Sequence, residues 1–383
     1  MRLNWQKVAV YLQNISTTEF ALIGALVLVL VYEIYYYFRY LWLYSERHTS
    51  EAYPPVTVIV CAKNEAYLLR DYLQALVEQD YPEYEVIVVN DGSEDETPIV
   101  LGEYAKRYSH FRSTFVPVGA RVCSSKKLAL SLAIKSARYE HLLLTDADCC
   151  PASNQWIKQM MSGFGEGKQL VLGFGAYFVE KKVINRLIQY DTLFNGLQFI
   201  GMARAGKAYM GVGRNLAYLK STFLNSGGFT GLINECAGDD DLVVNRVANR
   251  TNIAVVTTPD SVTWSEPKGS WQEWIHQKRR HLSVSHLYNH RSQLRIGIEP
   301  VMRAVFYALI ITIAVVSSDQ IVWMIAGGMW FIKWIIQALV LNISANRLGV
   351  AKVGIRGLWL DIVLPLITLY ILLTKRFHPQ NKW

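Results

Sequence analysis

Residues 20–38 read FALIGALVLVLVYEIYYYF, 19 residues whose one charge is Glu33. In hydrocarbon no water satisfies backbone N–H and C=O groups, so an apolar run of about 20 residues folds as a helix that closes its own hydrogen bonds. This constrains the chain more than any other feature, because it ties one end to a bilayer. No small-residue cleavage site follows the run, and tyrosines with Trp42 stand at its far end like an interfacial belt. A retained span is therefore expected rather than a removed signal peptide, with a buried core helix as the alternative.

Three more apolar stretches close the chain, at residues 305–316, 321–341 and 358–373. The middle one is the most span-like, although Lys333 inside it must face protein or snorkel. The other two are short enough to lie partly in the interface. The loop before the last stretch carries Arg347, Lys352 and Arg356, which the positive-inside rule assigns to the cytoplasm together with residues 45–300. Three C-terminal crossings would then carry the basic tail at 374–383 outside, a conflict removed if the last segment re-enters or lies flat. The expected division is an N-terminal segment 1–48 with one transmembrane helix, a domain 49–290, and a membrane region 291–383 with two to three transmembrane helices.

The 51% hydrophobic and 12% aromatic content agrees with a membrane component. A net charge of +8 suits nucleic acid, an anionic membrane face or a phosphorylated substrate alike, and decides nothing alone. Cys61, Cys123, Cys149, Cys150 and Cys236 form neither C-x-x-C pairs nor a disulfide framework, as in a reducing compartment.

Between the apolar ends, residues 56–62 are a β-branched run, 67–79 carry apolar residues at helical spacing, and 84–93 contain a second buried strand. Strand, helix, strand implies a parallel sheet. A helix pattern at 126–137 leads into HLLLTDADCC at 141–150, where three leucines make a buried strand and the carboxylates follow at its C-terminal end. Ligands of such sheets bind in the crevice beyond those ends. The turn after the first strand, CAKNEAY, has no glycine, and GVGRN at 211–215 lacks a third one, so a dinucleotide fingerprint is weak.

Acidic residues recur at strand ends: Asp91, then Asp146 and Asp148, then Asp239, Asp240 and Asp241. A D-x-D where a strand bends into loop can hold an octahedral Mg²⁺ or Mn²⁺ that bridges to substrate phosphates. One such pair alone is as readily a solvated turn.

Taken together, these motifs resemble the membrane-bound branch of the family-2 glycosyltransferases, over about residues 54–285; that branch includes ceramide glucosyltransferase and the hyaluronan and cellulose synthases. The resemblance implies an α/β fold: a Rossmann-like, GT-A-type nucleotide-sugar-binding domain with a mostly parallel sheet, flanked by transmembrane helices. It implies nucleotide contacts at Glu65 and Asp91, a diphosphate lysine at Lys126 with Lys127 as alternative, and a metal pair at Asp146 and Asp148. AGDDDLVVNR is similar to the family's G-E-D-x-D-L, which makes Asp239 the catalytic base with Gly238 in place of the usual Glu; sliding by one makes it Asp240. HQKRRHLS resembles Q-x-x-R-W through Gln277 and Arg280, with His281 where tryptophan is usual; plain lipid-headgroup contact would also produce such a basic cluster.

The implied enzyme is an inverting, metal-dependent hexosyltransferase. It would move a sugar from a nucleotide-diphosphate sugar, a UDP-sugar favoured, to a hydroxyl of a lipid or glycan acceptor. Membrane lipids are expected partners and nucleic acid is not; the expected location is the bacterial inner membrane, with the catalytic domain cytoplasmic. The rival readings are a polyprenyl-phosphate sugar synthase, whose ionised acceptor needs no base, and a non-catalytic nucleotide-sugar-binding membrane component.

Overall fold

The computed structural model describes residues 16–44, 53–116, 125–165, 167–233, 235, 237–354 and 357–374. Cys123, Cys236, Arg356 and the tail beyond 374 lie outside the described residues.

The first helix, α1 (Thr17–Tyr36), opens on a capping box between Ser16 and Glu19 and continues as a π-helical turn, Tyr37–Leu41. Next come β1 (Val56–Ala62), α2 (Ala66–Val77), β2 (Tyr84–Asn90), α3 (Thr97–Arg107), β3 (Phe111–Phe115), α4 (Ser125–Ser136) and β4 (His141–Asp146). Every residue of β1 is buried, as a strand covered on both faces requires. The apolar face of α2, with Leu69, Leu73 and Leu76, covers one side. The turn after β1 does without glycine because Asn64 adopts a positive φ of 56° and its side chain accepts from Glu94 N at 2.8 Å.

The second half is more broken: β5 (Cys149–Pro151), α5 (Trp156–Met161), β6 (Leu170–Leu172), β7 (Gly175–Tyr177), α6 (Val183–Arg204), β8 (Leu216–Leu219), α7 (Lys220–Asn225), α8 (Asp241–Val247), β9 (Ile253–Val255), β10 (Thr263–Ser265) and α9 (Trp271–Ser283). The main sheet has the order β3-β2-β1-β4-β8-β6-β9, antiparallel only where β8 meets β4 and β6. A small sheet, β5-β10-β7, stands beside it. The chain runs outward from β1 to β3 and returns to β4 on the other side of β1, so the strand order reverses between β1 and β4. A crevice opens at such a reversal, beyond the carboxyl ends of the strands. In the register Cys61 pairs with Asp146, which puts the D-x-D at that crevice.

After the domain come α10 (His290–Val316), α11 (Gln320–Leu348) and α12 (Gly357–Thr374). With α1, helices α10 and α11 are long and apolar enough to cross a membrane, their windows having mean hydropathies of 1.9, 1.8 and 1.7. Their domain-side ends meet: Leu43 N donates to Ser344 Oγ at 3.3 Å. At the opposite ends Ser317 Oγ donates to Glu19.

Lys333 faces protein. Its Nζ is 2.8 Å from Asp361 on α12, and Asp361 also takes Arg303 at 3.1 Å, Tyr307 at 2.6 Å and Tyr190 at 3.2 Å. Pairing of this kind is what buried charge at membrane depth requires. The last segment, α12, packs against α6 and α9. Near its start Asp361 holds Tyr190 of α6, and at its end Thr374 Oγ1 accepts from Arg279 of α9 at 3.2 Å. Trp359, Leu366, Leu369 and Leu373 point outward from it.

Candidate active site

A cavity of about 1070 Å³ lies between the carboxyl edge of the sheet and α9. On its sheet side, β4 ends at Asp146, Ala147 turns the chain, and Asp148 follows. Ligand atoms of Asp146, Asp148 and Cys149 lie within 4.8 Å of one another. Burial, then the charge of Asp146, pushes the Asp148 carboxyl up. Two carboxylates this close are a donor set that fits a divalent cation. Glu65 stands before α2 on the same wall, its carboxyl pushed up to about 7 by burial and then by Asp148. Asp91 follows β2, buried, with one carboxylate oxygen that has no hydrogen-bond partner among the described residues.

The two lysines of SSKKLAL divide their work. Lys126 Nζ is 2.8 Å from Asp146 and 3.0 Å from Asp239. Burial alone would lower its pKa, but those two carboxylates hold it well above the usual range, so it is charged. Lys127 points the other way, is fully buried, and donates to the carbonyls of Leu232, Glu235 and Ala237 at 3.0, 2.6 and 2.6 Å. It pins the segment that leads to the acidic cluster.

Within that cluster the three aspartates differ. Gly238 stands where the resembling motif has Glu because its φ is +78°, and a Cβ there would meet the Leu242 side chain at 2.8 Å. Asp240 caps α8, accepting from Asp241 N at 2.8 Å and from Gly213 N at 2.6 Å. Burial, then the charge of Asp239, pushes Asp240 up to about 6. Asp241 is buried and accepts from Tyr288 at 2.7 Å. Asp239 meets Lys126 across the cavity; burial would raise its pKa, but the ammonium outweighs that and holds it below the usual range.

The opposite wall is α9, capped by Ser270. Positions 277, 280 and 281 share one helical face, and Gln277, Arg280 and His281 all line the cavity. The residues between them tie the helix down: Lys278 Nζ is 2.8 Å from Asp191 of α6, and Arg279 reaches Thr374 of α12. Gln277 Nε2 donates to Tyr177 Oη at 3.0 Å. Desolvation, then the positive charges of Arg280, Lys278 and Arg214, lowers the His281 pKa, so its imidazole is neutral.

All nine residues expected at the site therefore lie at or near one crevice, Asp91 just outside the cavity lining. Sequence reasoning missed Arg214, Tyr177 and Cys149. Arg214 belongs to GVGRN, read as a weak glycine fingerprint; the informative residues were the Arg-Asn after the second glycine. Its carbonyl accepts from Thr145 and Thr263, each at 3.0 Å, while Asn215 Nδ2 donates to Phe174 O at 2.8 Å and Ser261 O at 2.7 Å.

Residues 57–225 match the model described as Glycosyl transferase family 2. A probable glycosyltransferase of Bacillus subtilis is 26% identical over 243 residues, 61% of this chain and 56% of that protein. A poly-beta-1,6-N-acetyl-D-glucosamine synthase of Staphylococcus epidermidis is 32% identical over 126 residues, 31% of this chain and 29% of that protein. The chain thus spans about half the length of the first relative and less of the second. A mannosyltransferase of Pyrobaculum calidifontis, solved with GDP-Man and Mn²⁺, aligns over 91% of this chain and 97% of its own at a TM-score of 0.56 and 21% identity, which shows the shared fold.

Proposed function

We propose that the chain transfers a sugar from a nucleotide-diphosphate sugar to a hydroxyl of a lipid or glycan at the membrane surface, with inversion, because residues 57–225 match the family model described as Glycosyl transferase family 2. The observation that carries this is the position of Lys126, whose one ammonium joins the D-x-D at 2.8 Å to Asp239 at 3.0 Å. A cation pair-site for a leaving group and a candidate proton acceptor are thus held at one point. The nearness of α12 and its outward apolar face supports an acceptor presented at the membrane.

Asp146 and Asp148 would hold Mg²⁺ or Mn²⁺, which when bound supplies positive charge at the diphosphate. Glu65 and Asp91 orient the nucleotide. As the bond from the anomeric carbon to the phosphate oxygen breaks, its electron pair stays on the diphosphate, and Lys126 and Arg280 stabilise the charge that develops there. The acceptor oxygen forms the new bond from the opposite face, and Asp239 takes its proton. Gln277 holds Tyr177 on the same wall. A single displacement of this kind inverts the anomeric carbon.

Arg347 and Lys352, near the domain-side end of α11, support a cytoplasmic domain in a bacterial inner membrane. The test is a panel of UDP-, GDP- and dTDP-sugars offered to the purified, reconstituted protein with Mn²⁺, scored by release of nucleoside diphosphate that depends on added acceptor. UDP-sugar turnover is expected; no turnover with any donor would leave a binding protein instead of an enzyme.

A further inference from the structure

We propose that Arg214 is a phosphate-binding residue of this cavity, its guanidinium taking an oxygen of the donor's diphosphate beside the Asp146 and Asp148 pair. The inference rests on the nucleotide-sugar reading given above. Arg214 lines the cavity, yet among the described residues no carboxylate lies within ion-pair distance of it. Among the described residues its guanidinium makes two hydrogen bonds, both long and both from Nη1, 3.4 Å to Ala176 O and 3.4 Å to Ser265 Oγ. A guanidinium has five N–H donors, so most of its donor capacity is left for a ligand.

The side chain is also held in one place. Its guanidinium carbon lies 4.2 Å from the centre of the Tyr177 ring, which Gln277 fixes from α9. Its stem runs close to Gly175, where a Cβ would come within 2.7 Å of Nε. The backbone is fixed as well, by Thr145 and Thr263 on the carbonyl and by the bond from Gly213 N to Asp240. A planar cation held beside a ring, with its stem fitted against a glycine, is preorganised for phosphate oxygens.

The neighbouring charges narrow the ligand. Asp146 and Asp148 would repel a bare anion, whereas a diphosphate carrying a divalent cation matches both features: cation on the carboxylates, phosphate oxygen on Arg214. When the sugar leaves, the electron pair of the broken bond stays on the diphosphate, and an N–H of Arg214 is already placed to share that charge.

The test measures UDP and uridine binding by titration calorimetry with Mn²⁺ present, on the full chain in detergent, with GDP and guanosine run beside them. Arg214→Gln is expected to weaken diphosphate binding about tenfold to a hundredfold, the worth of a hydrogen bond to a charged group, and to leave nucleoside binding within roughly twofold. Arg214→Lys should recover part of the loss, which a purely packing role would not allow. Equal weakening for diphosphate and nucleoside would overturn the proposal in favour of a structural role. Unchanged diphosphate binding with a raised acceptor KM would overturn it in favour of an acceptor contact. If the unmodified protein binds no diphosphate, the nucleotide-sugar reading falls first and this one with it.

Discussion

Lys126 Nζ and Asp239 Oδ2 stand 3.0 Å apart, and Lys126 belongs to α4, the helix that precedes β4, while Asp239 belongs to the loop before α8. The two sides of the proposed reaction are therefore joined by one side chain. Lys126→Ala should lower transfer by about 10²–10³, the usual loss when a preorganised positive group is taken from a developing anion. Lys127→Met should act differently, because three backbone carbonyls lose their donor. Its first effect is a lower melting temperature, and a folded Lys127→Met with a Lys126→Ala-like rate loss would contradict the division of roles.

Asp239→Asn should keep the fold and donor affinity while transfer falls by about 10²–10⁴. Asp240→Asn, whose amide oxygen can still cap α8, should remain within roughly tenfold of normal. Transfer rate and donor affinity for both variants decide the matter. Near-normal transfer in both would favour a polyprenyl-phosphate acceptor, which has no proton to give up.

Removing divalent ions with excess chelator should abolish transfer, and Asp148→Ala should do the same with Mn²⁺ present, because the leaving diphosphate loses its counter-charge. Mn²⁺ added back should restore the unmodified protein only. Full turnover in chelator would remove the metal from the mechanism.

The Glu65 carboxyl is pushed up from an ordinary 4.5 to about 7, first by burial and then by Asp148. Between those values the folded chain holds a proton that the unfolded chain has released, so stability falls as pH rises through the window and stays lower above it. Glu65→Gln cannot ionise. In metal-free protein it should raise the melting temperature at pH 8 and leave it unchanged at pH 4; the same gain at both would assign the effect to packing.

Asp361→Leu should destabilise the protein by about 3–5 kcal/mol, because Lys333 loses its nearest counter-ion inside the bundle. The double variant Asp361→Leu with Lys333→Met should recover part of that, since Arg303 keeps Glu299 as a partner. Thermal unfolding in one detergent, followed for both, measures the difference.

Long, continuous signals were legible in the sequence. Residues 56–62, 67–79, 84–93 and 126–137 lie within a few residues of β1, α2, β2 and α4, since each repeats an apolar pattern over several positions. The three-residue strands β5, β6, β7, β9 and β10 escaped, because three positions cannot show a period. α3 and β3 went unread too. At the site, Asp146 and Asp148 were legible because a strand end announces them. The seating of Arg214 was not, as nothing local says that it will lie against Gly175 and Tyr177. The choice between Lys126 and Lys127 depended on which side of α4 faces the sheet edge, and the choice between Asp239 and Asp240 on which carboxylate Gly213 N would occupy; both are long-range contacts.

The seating of α12 has a practical side. Its outward leucines have no cover among the described residues, and its inner face touches α9, the helix that presents Gln277 and Arg280. A micelle that wets those leucines poorly would let α12 lift, and α9 would lose the brace at Arg279. Activity measured after extraction therefore reports on the surfactant as well as on the enzyme, and a loss seen in one detergent should return in nanodiscs before it is blamed on a substitution.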